Sequence, residues 1–288
     1  MEWRRSSRCR QRFKQIPCEY REMTGAQMVS ACSIAGSDSG GGAGIQADLK
    51  TFTALEVYGL TVITAVTAQN TREVRGTWML PPEAVRAQVE AVVDEFAIRA
   101  WKTGMLGNAA NVRAVAEALP GEAALVIDPV MVSTSGHRLL AEDAVADVVE
   151  LLIPRAGIVT PNLPEAEVLA GMRVVDLDDM AEAGWRILDL GAGAVVVKGG
   201  HLAGGAAVDI LVDRDGVLEA SGRRYPYSVH GSGCCFSAAL AAYLARGMAA
   251  REAFAAAREF IDTAIGRAAG GPGPLRIVNP GGTILRHR

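Results

Sequence analysis

The segment His230–Cys235 combines glycines and cysteines directly in front of an alanine-rich apolar run. The two glycines of Gly231-Ser232-Gly233 permit a tight turn that exposes consecutive backbone N–H groups at a helix start. The helix dipole is positive there, so the turn favours a bound phosphate. Cys234 falls at the same helix start, where the dipole and any nearby cation favour the thiolate. The segment therefore predicts an anion site with a base, Cys234, that accepts the proton of a substrate hydroxyl during phosphoryl transfer.

A second glycine-rich segment, Gly36–Gly44, lies between an apolar run and a helical pattern. It is either a flexible loop or a turn whose glycines let a ligand or backbone approach closely. The spacing Gly42-x-Gly44-x-x-Ala47 loosely fits the dinucleotide fingerprint, but that motif needs an acidic residue about 20 positions later. The next apolar run ends in Gln69-Asn70 instead. The sequence contains no Walker A motif, so a Walker-type kinase is excluded.

Two polar residues have both a functional and a structural interpretation. Gln69 ends an apolar strand, and its amide either bonds a neighbouring loop or reads the donor–acceptor edge of an aminopyrimidine. Asp48, one turn into a helical pattern, is either a residue favoured by the helix dipole or a substrate contact. His230 has the same ambiguity, between a structural hydrogen bond and a chemical role.

Four further residues fit phosphate or metal chemistry. Asp128 ends an apolar strand, where its carboxylate can hold Mg²⁺ directly or through water. Lys198 also ends a strand and can neutralise phosphate charge. Asn162 and Glu165 fit the first turn of a helix, and capping alone accounts for both residue types.

Short apolar strands alternate with helical patterns along the chain. Strands are predicted at 29–35, 60–68, 98–103, 123–130, 157–160, 194–198 and 207–212. Helices are predicted at about 45–55, 85–96, 108–118, 141–153, 164–170, 178–190, 233–246 and 250–268. This alternation is typical of a largely parallel sheet with helices on both faces, which binds ligands at the carboxyl ends of its strands. We expect the polar residues above to meet at that edge.

Composition narrows the function classes. The chain has 288 residues, 50% hydrophobic and 21% charged, which fits a single α/β domain over 28–288. A net charge of −3 provides no field for nucleic acid. Five cysteines without a C-x-x-C pair argue against a disulfide framework, so we expect a cytoplasmic protein. No apolar stretch is long enough for a membrane span.

Residues 1–27 differ from the rest, because basic side chains crowd a segment without apolar periodicity. The segment lacks the apolar centre of a signal peptide. We expect a disordered extension, or residues upstream of a true start at Met28.

Taken together, the motifs closely resemble the hydroxymethylpyrimidine/phosphomethylpyrimidine kinases of thiamine biosynthesis, members of the ribokinase-like superfamily. The resemblance runs from about residue 29 to about residue 268. The matching segments are 35–50 (AGSDSGGGAGIQADLK), 67–71 (TAQNT), 102–106 (KTGML), 128–131 (DPVM), 160–167 (TPNLPEAE), 198–201 (KGGH) and 230–234 (HGSGC).

The resemblance implies a ribokinase-like three-layer α/β/α sandwich with a mostly parallel central sheet. It also implies Mg·ATP-dependent phosphorylation of 4-amino-5-hydroxymethyl-2-methylpyrimidine, first to the monophosphate and then to the diphosphate, and a homodimer. By the same resemblance, the pyrimidine-binding residues are Gln69, Asp48, Gly36, Met105 and Val130. Cys234 is implied as the base beside the anion hole Gly231–Gly233, with Lys198, Asn162 and Glu165 near the nucleotide and Asp128 and Glu165 near the metal.

Some positions depart from the family pattern. Ser232 and Cys235 stand where threonine is common, and position 134 lacks a lysine often found there. A related pyridoxal-kinase subgroup carries a second cysteine in the 133–136 flap, which this chain lacks; this favours the pyrimidine substrate. A pyridoxal kinase of the same fold and a non-catalytic nucleotide-binding regulator stay open as alternatives.

Overall fold

The computed structural model describes residues 28–121, 123–133, 136, 138–200, 207–270 and 275–281. The expectations for residues 1–27 and for position 134 therefore lie outside the described residues.

The centre of the molecule is a sheet of nine strands within the described residues. The chain's strands are β1 (Ser30–Asp38), β2 (Tyr58–Gln69), β3 (Val74–Met79), β4 (Ile98–Thr103), β5 (Ala124–Ile127), β6 (Ile158–Val159), β7 (Ala194–Gly199), β8 (Ala207–Asp213), β9 (Gly216–Gly222), β10 (Val229–His230), β11 (Ala269–Gly270) and β12 (Arg276–Ile277). The large sheet has the order β3-β2-β1-β4-β5-β6-β7-β8-β9, and β10, β12 and β11 form a small second sheet. Strands β2, β1, β4, β5, β6 and β7 run parallel, while β3, β8 and β9 are antiparallel additions at the edges.

Helices cover both faces of this sheet. They are α1 (Gly44–Ala54), α2 (Pro82–Val93), α3 (Ala109–Ala118), α4 (Ala144–Asp147), α5 (Leu163–Ala170), α6 (Leu177–Leu188), α7 (Ser232–Ala245) and α8 (Ala250–Gly266). Side chains of β1 alternate between two cores: Ala31 belongs to the core shared with α1, α7 and α8, and Cys32 to the core shared with α2, α3 and α6. The three-layer α/β/α sandwich with a mostly parallel sheet is confirmed.

Two predicted elements differ from the structure. The strand predicted at 123–130 ends at Ile127: the amide of Asp128 still bonds the carbonyl of Thr103 on β4, but Pro129 has no N–H to continue the ladder. The helix predicted at 141–153 is α-helical only over Ala144–Asp147. It continues as a π-helical turn and then a 3₁₀ turn that contains Pro154.

In the part of the chain that the structure describes, no helix has both the length and the apolar character of a membrane span.

Candidate active site

The start of α7 forms the predicted anion loop. Gly231 is the N-cap with φ of +89°, a left-handed conformation that glycine adopts without strain. The amide of Cys235 bonds the carbonyl of Gly231 at 2.9 Å and closes the first helical turn. Because the first amides of a helix have no carbonyl from a preceding turn, those of Ser232, Gly233 and Cys234 are donors for a ligand.

The other glycine-rich loop is organised by Asp38. Its carboxylate accepts hydrogen bonds from the amides of Gly40 (2.8 Å), Gly42 (3.1 Å) and Ala43 (2.9 Å). His230 Nε2 lies 3.0 Å from the same carboxylate. Burial alone would raise the pKa of Asp38, but the bonds from His230, Ala43 and Gly40 outweigh it and hold this pKa below its ordinary value. Asp38 therefore shapes the first loop and joins it to the anion loop. The motifs gave Asp38 no role, although an Asp two residues before the glycines of a turn is a usable signal.

Gln69 lies at the end of β2 beside both loops. Its backbone amide donates to Ser39 Oγ at 2.9 Å, and its side-chain oxygen accepts from Thr67 at 3.2 Å. Its Nε2 is 3.3 Å from His230 Nε2. The structure thus places Gln69 beside the anion loop, as the motifs predict. Its side-chain amide also bonds neighbouring protein groups, as the structural interpretation predicts.

Asp48 lies beneath these loops and is fully buried. Its Oδ2 accepts from Ser33 Oγ at 2.5 Å and from Lys102 Nζ at 2.9 Å. Burial disfavours the ammonium of Lys102, but the charge of Asp48 outweighs this and keeps the pKa of Lys102 above its ordinary value. Lys102 lies in the segment 102–106 and has no role implied by the resemblance. A lysine inside an apolar strand was the signal that a buried counter-charge was needed.

A second buried ion pair joins Lys198 and Asp128. Lys198 Nζ lies 2.8 Å from Asp128 Oδ1, and Ser237 of α7 donates to Asp128 Oδ2 at 3.1 Å. A Cβ on Gly233 would lie 3.4 Å from Lys198 Nζ, so this ammonium sits directly under the anion loop. Burial would raise the pKa of Asp128, but Lys198 and Lys102 hold it below its ordinary value. The structure therefore places Lys198 where the sequence predicts a phosphate-neutralising charge.

Asn162 and Glu165 form a reciprocal capping box at the start of α5. Asn162 Oδ1 accepts from the Glu165 amide, and Glu165 Oε2 accepts from the Asn162 amide, both at 2.9 Å. Glu165 Oε1 also accepts from the amide of Met131 at 3.3 Å. Burial raises the pKa of Glu165 to about 7; Lys198 opposes the shift and Asp128 adds to it. The capping interpretation holds, and in addition Glu165 and Asp128 are close enough to repel each other.

These two carboxylates suit a magnesium ion that keeps most of its ligands as water and phosphate. Within the described ranges, no cluster of three or more His, Cys, Asp or Glu side chains is arranged to hold a metal by itself. Mg²⁺ is commonly bound by only one or two carboxylates together with substrate phosphates. The mutual repulsion of Asp128 and Glu165 is what such a cation would relieve.

Groups that favour the thiolate of Cys234 and groups that disfavour it meet at the start of α7. Burial raises the pKa of Cys234 to about 11; Lys102 lowers it, and Asp48 and Asp128 raise it further. A hydrogen bond from the Gly44 amide, at the start of α1, also favours the thiolate. Cys234 is therefore a neutral thiol near pH 7, because burial and two neighbouring carboxylates outweigh the favourable groups.

Cys235 points away from the site. It is buried against α1, where its side chain bonds Thr51, and burial raises its pKa to about 12. Its surroundings are those of a packing residue.

The predicted ring-binding residues are only partly brought together. A Cβ on Gly36 would lie 3.0 Å from Met105 Sδ, so these two residues are in contact at the ends of β1 and β4. Val130 lines a cavity of about 10 Å³ beside Asp128. That is the volume of about one water molecule, not of a pyrimidine ring.

A family model described as phosphomethylpyrimidine kinase matches residues 38–274. The chain belongs to the phosphomethylpyrimidine kinase family.

Individual relatives agree with this membership. The chain is 49% identical over 242 residues to the hydroxymethylpyrimidine/phosphomethylpyrimidine kinase of Rhizobium meliloti, covering 83% of this chain and 91% of that protein. Among solved structures it resembles the phosphomethylpyrimidine kinase of Clostridium difficile 630, with 43% identity, a TM-score of 0.74, and coverage of 82% of this chain and 99% of that one. It also resembles an ADP complex of Bacillus subtilis pyridoxal kinase, with 38% identity, a TM-score of 0.83, and coverage of 90% and 100%.

Proposed function

We propose that this kinase phosphorylates 4-amino-5-hydroxymethyl-2-methylpyrimidine from ATP and then converts the monophosphate to the diphosphate, for thiamine diphosphate biosynthesis. The observation that carries the proposal is the meeting of three groups at one sheet edge: the amides of Ser232–Cys234, the ammonium of Lys198 and the thiol of Cys234. The family match and the names of the relatives support the pyrimidine substrate.

In the first step the hydroxymethyl oxygen attacks the γ-phosphorus of ATP. A new O–P bond forms, the bond from the γ-phosphorus to the bridging oxygen breaks, and ADP leaves. The thiolate form of Cys234 accepts the proton of the hydroxyl group. Because the resting thiol is neutral, Cys234 must first lose its own proton to solvent in the assembled complex.

The anion loop and Lys198 act on the charge of the transferring group. Amides at the start of α7 donate to its equatorial oxygens, and Lys198 adds a positive charge from below. Mg²⁺, near Asp128 and Glu165, would neutralise phosphate charge. Gln69, at the end of β2, orients the pyrimidine, and Gly36 and Met105 contact the ring.

The second step needs less help from a base. Its acceptor is an oxygen of the monophosphate, which is already largely ionised at neutral pH. The two steps therefore depend differently on Cys234, which provides the test.

The test is a coupled assay of ADP release with the pyrimidine alcohol, its monophosphate and pyridoxal, for the wild type and Cys234→Ala. We expect the variant to lower kcat for the alcohol by about 10²–10⁴-fold, the usual range for a general base, and to affect the monophosphate less. A near-normal rate with the alcohol would remove Cys234 from the mechanism. The absence of ADP release with every one of these acceptors would favour the non-catalytic regulator.

The structural likeness to pyridoxal kinase supports one second candidate, phosphorylation of pyridoxal. The same assay decides between the two through kcat/KM for each alcohol. A higher kcat/KM for pyridoxal would overturn the pyrimidine assignment.

A further inference from the structure

The imidazole of His230 is buried between the two glycine-rich loops and meets two groups through one nitrogen. Its side chain is 6% exposed. Nε2 lies 3.0 Å from Asp38 Oδ2 and 3.3 Å from Gln69 Nε2. A Cβ on Gly42 would lie 2.5 Å from His230 Cδ2, so the ring packs directly against the first loop. The hydrogen on this one nitrogen therefore decides the polarity of both contacts.

Asp38 fixes that hydrogen. The pKa of Asp38 is held below its ordinary value, so near neutral pH the group is a carboxylate and can only accept hydrogen bonds. A lone pair on His230 Nε2 would face a negative oxygen at 3.0 Å, whereas an N–H donates to it. His230 Nε2 therefore carries a hydrogen, and it cannot accept a bond from the amide nitrogen of Gln69.

The other end of the Gln69 amide meets Thr67. The Thr67 hydroxyl lies 3.0 Å from the backbone oxygen of Ser37 and 3.2 Å from the side-chain oxygen of Gln69. A hydroxyl has one proton to donate, and a carbonyl oxygen can only accept. The shorter bond, to Ser37, uses that proton, so the group opposite Thr67 must be a donor. A half-turn of the Gln69 amide supplies a donor to Thr67 and an acceptor to His230 at once.

We propose that His230, held by Asp38, is a positioning residue that fixes the orientation of the Gln69 amide. The side-chain oxygen of Gln69 accepts from His230 Nε2, and its nitrogen donates to Thr67. The amide then keeps one N–H and one lone pair for a ligand, in a fixed order. An aminopyrimidine offers an exocyclic N–H beside the lone pair of a ring nitrogen, which matches only one order. This rests on the proposed function, in which Gln69 binds the pyrimidine; His230 acts on the ring only through Gln69.

The 4-oxo analogue of the pyrimidine alcohol tests the order directly. It has a carbonyl oxygen in place of the amino group and a hydrogen on the neighbouring ring nitrogen, so its edge has the opposite polarity. The coupled assay compares kcat/KM for the 4-amino and the 4-oxo alcohol. We expect His230→Met, which removes the N–H donor, to lower the ratio of these values by about tenfold, since a freed amide can turn towards either edge. An unchanged ratio would overturn the proposal.

His230→Gln is the matched variant. Glutamine and methionine have similar lengths, and both lose the ring that packs against Gly42, but only glutamine can place an N–H near the position of Nε2. We expect His230→Gln to keep most of the preference for the 4-amino alcohol, and thermal melting of both variants is compared with that of the wild type. An equal loss of preference in two folded variants would mean that the ring is needed for packing alone, which contradicts the proposal.

A measurement on the resting protein needs no turnover and no folded variant. Long-range ¹H–¹⁵N correlation spectra of histidine-labelled wild type show which ring nitrogens carry hydrogen, and the His230 signals are those absent from a His230→Gln sample or, if it does not fold, those shifted in Gln69→Ala. We expect hydrogen on Nε2. A neutral ring with hydrogen on Nδ1 alone would overturn the proposal.

The two proposals fail in different ways. If the wild type phosphorylates neither pyrimidine alcohol nor the monophosphate, the proposed function fails while the hydrogen on Nε2 is still observed. If the wild type prefers the 4-amino alcohol and His230→Met keeps that preference in full, the role of His230 alone fails.

Discussion

Gly231 packs against Gly42 so closely that a Cβ at position 231 would lie 1.7 Å from the carbonyl oxygen of Gly42. The two residues belong to the two glycine-rich loops, which follow different strands. Since the contact is to backbone rather than to a flexible side chain, neither loop can yield without moving the other. The anion loop and the first loop therefore form one rigid unit.

Replacing Gly231 by alanine should disrupt this unit. Both the contact with Gly42 and the φ of +89° oppose a Cβ. We expect kcat with the pyrimidine alcohol to fall by about 10²-fold or more, since shifts of about 1 Å in positioning groups cost that much. The matched control is Gly247→Ala: φ is +90° there too, but no atom lies within 4 Å of the added Cβ. It should cost only about 1–2 kcal/mol of stability, from the left-handed backbone alone. Equal kinetic losses in both variants would contradict the packing argument.

Asp38→Asn should destabilise the protein in a pH-dependent way. The lowered pKa of Asp38 means that its carboxylate stabilises the fold above the carboxyl pKa of the unfolded chain, and that this stabilisation is lost as pH falls through the folded pKa. We expect urea unfolding to show a loss of about 1–3 kcal/mol at pH 7, shrinking below about pH 4.

The control for this change is Asp176→Asn. Asp176 caps α6 by accepting from the amide of Asp179 at 2.9 Å. Asparagine is an equally good N-cap, so its stability should be nearly unchanged. A pH-independent loss in Asp38→Asn would show that its charge is not what stabilises the loop.

The strands and the glycine-rich loops could be predicted from the sequence because their signals are local. The strand predicted at Ile98–Thr103 matches β4 residue for residue, and its last four residues are buried. The edge strands β3 and β9 were missed, because their half-exposed side chains give a weaker apolar pattern. Period-two alternation assigns a face to each residue, but it does not say which side chains meet across elements.

The site residues whose roles were not predicted show that a local pattern does not say which side chains meet. His230 and Asp38 are 192 residues apart, and only the packing of two loops brings them to 3.0 Å. In the sequence Lys102 is only part of a strand motif, and the fold places Asp48 beside it. The surroundings of Cys234 show the same limit: the helix start is a local feature, whereas the burial and the neighbouring carboxylates that raise the pKa of this thiol are not.

Gln69→Ala should separate binding from chemistry. Gln69 lies at the end of β2 beside both loops. We expect KM for the pyrimidine to rise by about tenfold or more, equivalent to one lost hydrogen bond of about 1.4 kcal/mol, with a smaller change in kcat. Gln88→Ala is the control, because Gln88 bonds only the scaffold, through the backbone of Ile63 and Ala84. It should lower stability and leave KM unchanged. A KM for the pyrimidine that is unaffected by Gln69→Ala would remove Gln69 from the ring site.

Lys198→Ala should impair both phosphorylations to a similar extent, unlike Cys234→Ala. Lys198 lies under the anion loop, where the transferring phosphoryl group is the same in either step. Losing one such electrostatic contact costs about 10²–10³-fold in kcat. The measurement is kcat for the alcohol and for the monophosphate in the same preparation, so each substrate is the control for the other. Because Asp128 loses its partner in Lys198→Ala, thermal melting is measured in parallel. The double variant Lys198→Ala with Asp128→Asn tests whether the loss of kcat follows from the missing charge of Lys198. A loss confined to the alcohol would mean that Lys198 acts on the base instead of the phosphate.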